Sequence, residues 1–69
     1  MSFALRPAIL ANIQGNSNEE VEATIVDAIS RNEEKMLPGL GVMMELLWQT
    51  ASEEEKATVT ARISEALTK

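Results

Sequence analysis

Apolar residues recur at helical spacing along most of this chain, interrupted by short polar clusters, and the pattern predicts four helical segments. The first runs from about Arg6 to Ile13, where Ile9, Leu10 and Ile13 form one apolar face. Pro7 fits its first turn, because its missing N–H breaks no helical hydrogen bond there. Gly15 and Asn16 then supply a stop. Ser17-Asn18-Glu19-Glu20 is a Ser-x-x-Glu capping box and opens the second segment. Its acids also suit the positive end of a helix dipole. Val21, Ile25, Ala28 and Ile29 follow at i, i+4, i+7 and i+8, one amphipathic stripe, with Glu19, Glu20, Glu22 and Asp27 mostly off it. The segment is expected to end near Arg31-Asn32.

Glu33 to Lys35 are expected to fray or form a separate turn. Leu37-Pro38-Gly39-Leu40-Gly41 is expected to break the pattern, since a residue before proline is pushed out of the helical region. The alternative is that Pro38 begins the next helix. The third segment, about Leu40 to Thr50, is apolar almost all round: only Glu45 and Gln49 are plainly polar. A helix without a polar face is normally buried, so this one is expected to be the central element that the others cover. Gly41 would let a neighbouring backbone come close. Ser52-Glu53-Glu54-Glu55 is a second capping box, and Val59, Ile63, Ala66 and Leu67 repeat the i, i+4, i+7, i+8 stripe. No useful stretch alternates with period two. The expected fold is all-α, a compact bundle of three or four short helices in a single domain, 1–69.

Composition narrows what such a bundle can do. A chain of 69 residues buries only about 60% of its unfolded surface, and proteins this small often add disulfides, a metal or a partner. Cysteine and histidine are both absent, which removes disulfides, thiolate sites and imidazole sites. An apolar core, helped or not by self-association, must therefore suffice. Six Lys and Arg against eleven Asp and Glu give a formal charge of −5. Arg6, Arg31, Lys35, Lys56, Arg62 and Lys69 are scattered singly among the acids, and a net negative field repels a duplex. Nucleic-acid binding is disfavoured, and stays open only if Arg6, Arg31, Lys35 or Arg62 converge on one patch. No apolar run approaches the roughly 20 residues needed to span a bilayer. Arg6 precedes only a short Ala8-Ile9-Leu10-Ala11 stretch interrupted by Pro7 and Asn12, which is a poor signal peptide. The expectation is a protein kept inside a cell, with no membrane partner.

The search for chemistry returns little. Acid–base and nucleophilic catalysis draw mostly on His, Cys, Tyr, Lys and buried carboxylates, and the first three are missing. Ser17 and Ser52 are explained as caps, and Ser30 and Ser64 have no base beside them. Leu37-Pro38-Gly39-Leu40-Gly41 lacks the spacing and Lys-Ser/Thr ending of a phosphate loop. Glu53-Glu54-Glu55 cannot converge on one cation, because successive helical residues point apart. An acyl carrier role needs a serine after aspartate and before leucine; Ser17 follows Asn16 and Ser52 follows Ala51. No catalytic, cofactor-binding or metal-binding residue is assigned, and no enzyme activity, cofactor or small-molecule substrate is expected. Met36, Met43, Met44 and Trp48 are expected to fill the core. The alternative is an adaptable groove, or a helix left partly exposed that drives dimerisation, so the Leu40–Trp48 segment is the candidate surface for a homodimer or other protein partner.

Several words of the sequence carry more than its pattern. Leu5-Arg6-x-Ala8-Ile9-x-Ala11-Asn12-Ile13-x-Gly15-Asn16, then Thr24-Ile25-x-Asp27-Ala28-Ile29, and above all Glu33-Glu34-Lys35-x-Leu37-Pro38-Gly39-Leu40-Gly41-Val42, followed by Glu45 and Trp48, resemble the small acid-soluble spore protein I family. The resemblance covers roughly residues 5–50; Met44 stands where an aromatic residue is expected. It implies a minor, non-enzymatic protein of Bacillus-type spore formers, made in the forespore and resident in the spore core. It does not imply DNA protection, which belongs to the α/β-type spore proteins, and no motif of theirs aligns here. A reserve of amino acids for germination is a further reading it leaves open.

Overall fold

The computed structural model describes residues 4–68, in the order α1 (Leu5–Ile13), α2 (Asn18–Arg31), a 3-10 turn (Glu34–Met36), α3 (Leu37–Thr50) and α4 (Glu53–Leu67). The fold is all-α, a compact arrangement of four helices with principal extents of 34 × 31 × 26 Å, and no strand occurs among the described residues.

Both capping boxes form. The Ser17 N–H donates to Glu20 Oε1 at 2.8 Å while the Glu20 N–H donates to Ser17 Oγ at 3.2 Å. The Ser52 N–H donates to Glu55 Oε1 at 2.7 Å, and the Glu55 N–H to Ser52 Oγ at 3.1 Å. Each box satisfies two donors that the first helical turn leaves without partners. Gly15, at φ +83°, makes the turn after α1 in a region that favours glycine. Asn32, at φ +51°, closes α2, its N–H donating to the Ile29 carbonyl at 3.2 Å.

The expected break at residues 37–41 is the beginning of α3. Pro38 sits in its first turn, where no backbone N–H needs an intrahelical acceptor, and the 3-10 turn feeds directly into Leu37. The helix therefore starts before Leu40 and carries Gly39 and Gly41 within it.

α3 is the hub, as expected: α1, α2 and the 3-10 turn all pack on it, and α2 also packs on the turn. The core they enclose is thin. Among the described residues, Ala28 of α2 and Val42 of α3 are the buried apolar ones, each 6% exposed. Ile9, Ile25, Leu40 and Met43 surround them half-buried. Contrary to expectation, α3 is not covered on all sides, and Ile29 faces solvent instead of completing the α2 stripe. α4 also departs from the pattern. Of its stripe only Val59 is half-buried; Ile63, Ala66 and Leu67 are exposed, Leu67 to 78%. It follows α3 through extended Ala51 and Ser52, and its Lys56 ammonium lies 5.4 Å from the centre of the Trp48 ring.

Candidate functional site

α3 has one formal charge, Glu45, and the fold neutralises it. Arg6 of α1 donates from Nε to Glu45 Oε1 and from Nη2 to Glu45 Oε2, each at 2.7 Å, a bidentate pair between residues 39 apart in sequence. The hydrogen bonds from Arg6 hold the Glu45 carboxyl below its ordinary pKa, and the same contact raises the Arg6 guanidinium. The pair lies on the flank of α3 that faces α1, so it aligns the two helices and leaves α3 without net charge.

One face of α3 turns inward, through Gly39, Val42 and Met43, toward α1 and α2. The opposite face looks outward. Leu37, Gly41, Met44 and Trp48 fall at i, i+4, i+7 and i+11 along it, with Leu47 alongside, and all five are exposed. Met44 and Leu47 are each 42% exposed and Trp48 41%. Spacing alternating between four and three residues is that of a helix seam that meets another helix. The methionines thus divide: Met36 and Met43 are half-buried as a core reading requires, whereas Met44 and Trp48 belong to the outer face.

A second apolar feature, an open groove of about 610 Å³, runs between α1, α2 and α3, lined by Leu10, Ile13, Val21, Met43 and Leu46 among others. No titratable side chain lines it, so it offers apolar contact and no acid–base chemistry. Among the described residues no three of His, Cys, Asp and Glu gather as a metal site would require. No described helix is long and apolar enough to cross a membrane.

The cations sit beside acids. Arg31 Nε donates to Asp27 Oδ2 at 2.9 Å at the end of α2, which raises its pKa. Lys35 Nζ is 3.8 Å from Glu33, and Lys56 Nζ 3.6 Å from Glu53. Arg62 makes no ion pair with a described residue. Lys69 lies outside the described residues. The Leu40–Trp48 segment singled out by its composition is thus partly an exposed surface. The Arg6–Glu45 clamp escaped sequence reasoning; its one signal was a lone acid in an otherwise uncharged helix.

These features define a class: a small acidic helical protein whose distinctive surface is an uncharged, apolar helix face. The family model for "Small, acid-soluble spore protein I" matches residues 3–67. A protein of that description from Shouchella clausii is 61% identical over 67 residues, 97% of either chain. One from Halalkalibacterium halodurans is 57% identical over 67 residues, covering 97% of this chain and 98% of the relative. One from Bacillus mycoides is 52% identical over 69 residues, the full length of both. No solved structure matches. The chain belongs to the small acid-soluble spore protein I family, and that family is not a known enzyme family.

Proposed function

We propose that this chain is a non-catalytic protein of the spore core, made in the forespore during sporulation, that works through protein contacts on the outer face of α3. The spore setting is supported by the family match across residues 3–67. The observation that carries the mode of action is the exposed, charge-free run of Leu37, Met44, Leu47 and Trp48 on a helix whose only acid is already paired. Monomeric proteins seldom leave a contiguous apolar strip open to water, because burying it is worth about 25 cal/mol per Å².

Immunoblotting of growing cells, sporulating cells and decoated spores tests the setting. The protein should be absent during growth, appear late in sporulation and survive removal of the spore coat. Comparable amounts in growing cells would overturn the reading. So would complete loss with the coat fraction.

A further inference from the structure

α3 and α4 follow one another in the chain, each has an apolar face open to water, and one contact already joins the two faces. α3 presents Leu37, Gly41, Met44 and Trp48, and α4 presents Val59, Ile63 and Leu67 beyond Lys56. The Lys56 ammonium lies 5.4 Å from the centre of the Trp48 ring, close to the link of Ala51 and Ser52 between the helices.

That contact sets a register. Going back along α3 from Trp48, the strip steps by four, three and four residues to Met44, Gly41 and Leu37. Going forward along α4 from Lys56, it steps by three, four and four to Val59, Ile63 and Leu67. In an antiparallel pair these positions fall opposite one another: Met44 with Val59, Gly41 with Ile63, Leu37 with Leu67. Each arm is about 16 Å long. Lys56 brings the one charge on this seam, and it sits over the tryptophan. Exposure follows the same order. On α4 it climbs from half-buried Val59 to 45% at Ile63 and 78% at Leu67; on α3 it rises from 41% at Trp48 to 57% at Leu37. This is the gradient of two faces that meet near their junction and splay toward their far ends. The two-residue link is also within the two to five residues that join antiparallel helices in a hairpin.

We propose that α4 swings on Ala51 and Ser52 and closes along the outer face of α3 as an antiparallel hairpin, with Lys56 on Trp48 as its pivot. The rotation falls on the extended backbone of those two residues. The inner face of α3, with Val42, stays packed on α1 and α2. Closed and open forms are two states in equilibrium: the first hides Leu37, Met44 and Trp48, and the second presents them. The closure stands on the register alone; its use as a cover for a docking surface rests on the reading given above.

Disulfide trapping tests the closure, because the chain has no cysteine of its own. Leu37→Cys with Leu67→Cys joins the far ends of the seam, at two positions already exposed. Leu37→Cys with Glu65→Cys is the control, since residue 65 lies on the other side of α4. A disulfide needs Cα atoms within about 7 Å, so under a mild oxidant the 37–67 pair should close within one chain at least about 10-fold faster than the 37–65 pair. Adding Ile63→Asp puts a carboxylate in the seam and should slow the 37–67 closure at least about 10-fold, with helical circular dichroism unchanged. Equal rates for the two pairs would show a freely moving α4 and overturn the register. Cross-links found only between chains would assign the face to another copy and overturn the proposal, as would no cross-link at all. Each of these failures leaves the spore setting untouched, and loss of the protein with the coat fraction leaves the closure untouched.

Discussion

Ser17→Ala and Ser52→Ala delete the same hydrogen bond at the start of two helices, and the fold makes their consequences different. Each serine hydroxyl accepts from the N–H of a glutamate three residues on, at 3.2 Å in α2 and 3.1 Å in α4. Losing such a cap costs about 1 kcal/mol. α2 contributes Ala28 to the buried core and packs on α3, so its loss falls on the cooperative unit. For 69 residues the total stability is on the order of 3–10 kcal/mol, and the main thermal transition of Ser17→Ala should fall by about 4–8 °C. α4 buries no residue fully and is held chiefly by its own backbone and its cap. At 15 residues it is near the length where an isolated helix is marginal in water. Ser52→Ala should therefore open α4 locally about fivefold more often while the main transition stays in place. Circular dichroism melts give the first comparison. Amide hydrogen exchange across Val59–Ile63 gives the second, with faster exchange in α4 and unchanged protection around Val42. If Ser52→Ala lowers the main transition as far as Ser17→Ala and speeds exchange everywhere, α4 folds with the rest and the reasoning fails.

Val42→Ala removes two methyl groups from one of the two buried apolar positions among the described residues. It should cost about 2 kcal/mol in urea unfolding, with m unchanged; a loss below about 0.5 kcal/mol, the level of a surface substitution, would show that the core lies elsewhere. Glu45 is held below its ordinary value of 4.5 by Arg6, so the pair stabilises the fold fully above that pH and loses its effect as pH falls through the lowered value. Glu45→Gln should thus be less stable than the parent at neutral pH, with the difference shrinking under acid; equal stability at both would remove the clamp from the account. Labelled duplex DNA titrated with the chain should show no rise in fluorescence anisotropy even at low salt, since four of the cations sit beside carboxylates. Binding that weakens steeply with salt would contradict this.

The helices were legible where local chemistry decides. Ser17 and Ser52 announce their helices because a capping box needs only residues three apart. Leu37-Pro38-Gly39 misleads because proline breaks a helix interior and tolerates a first turn, and the chain alone does not say which position it occupies. The orientation of α3 was illegible for a related reason. With apolar residues on every side there is no contrast to mark an inner and an outer face, so Met43 and Met44 read alike until α1 and α2 cover one of them. Arg6 and Glu45 are separated by 39 positions, and a single ion pair at that distance leaves no periodic trace. α4 has a well-formed apolar stripe, which states what the helix could bury and not whether its own chain supplies the surface.

The placement of α1 on α3 also governs how the chain reaches this structure. Apart from α1 on α3, the packing joins elements close in sequence: α2 with the 3-10 turn, the turn with α3, and α2 with α3 just beyond it. Such links close short loops and form quickly, which puts a helical chain of this kind in the microsecond-to-millisecond class of folders. α1 must wait, because α2 lies between it and its partner. The docking of Leu5–Ile13 onto a hairpin of α2 and α3 is therefore expected to be the late step of folding. Substitutions on the inner side of α1, such as Ile9→Val, should accelerate unfolding and leave the folding rate almost untouched.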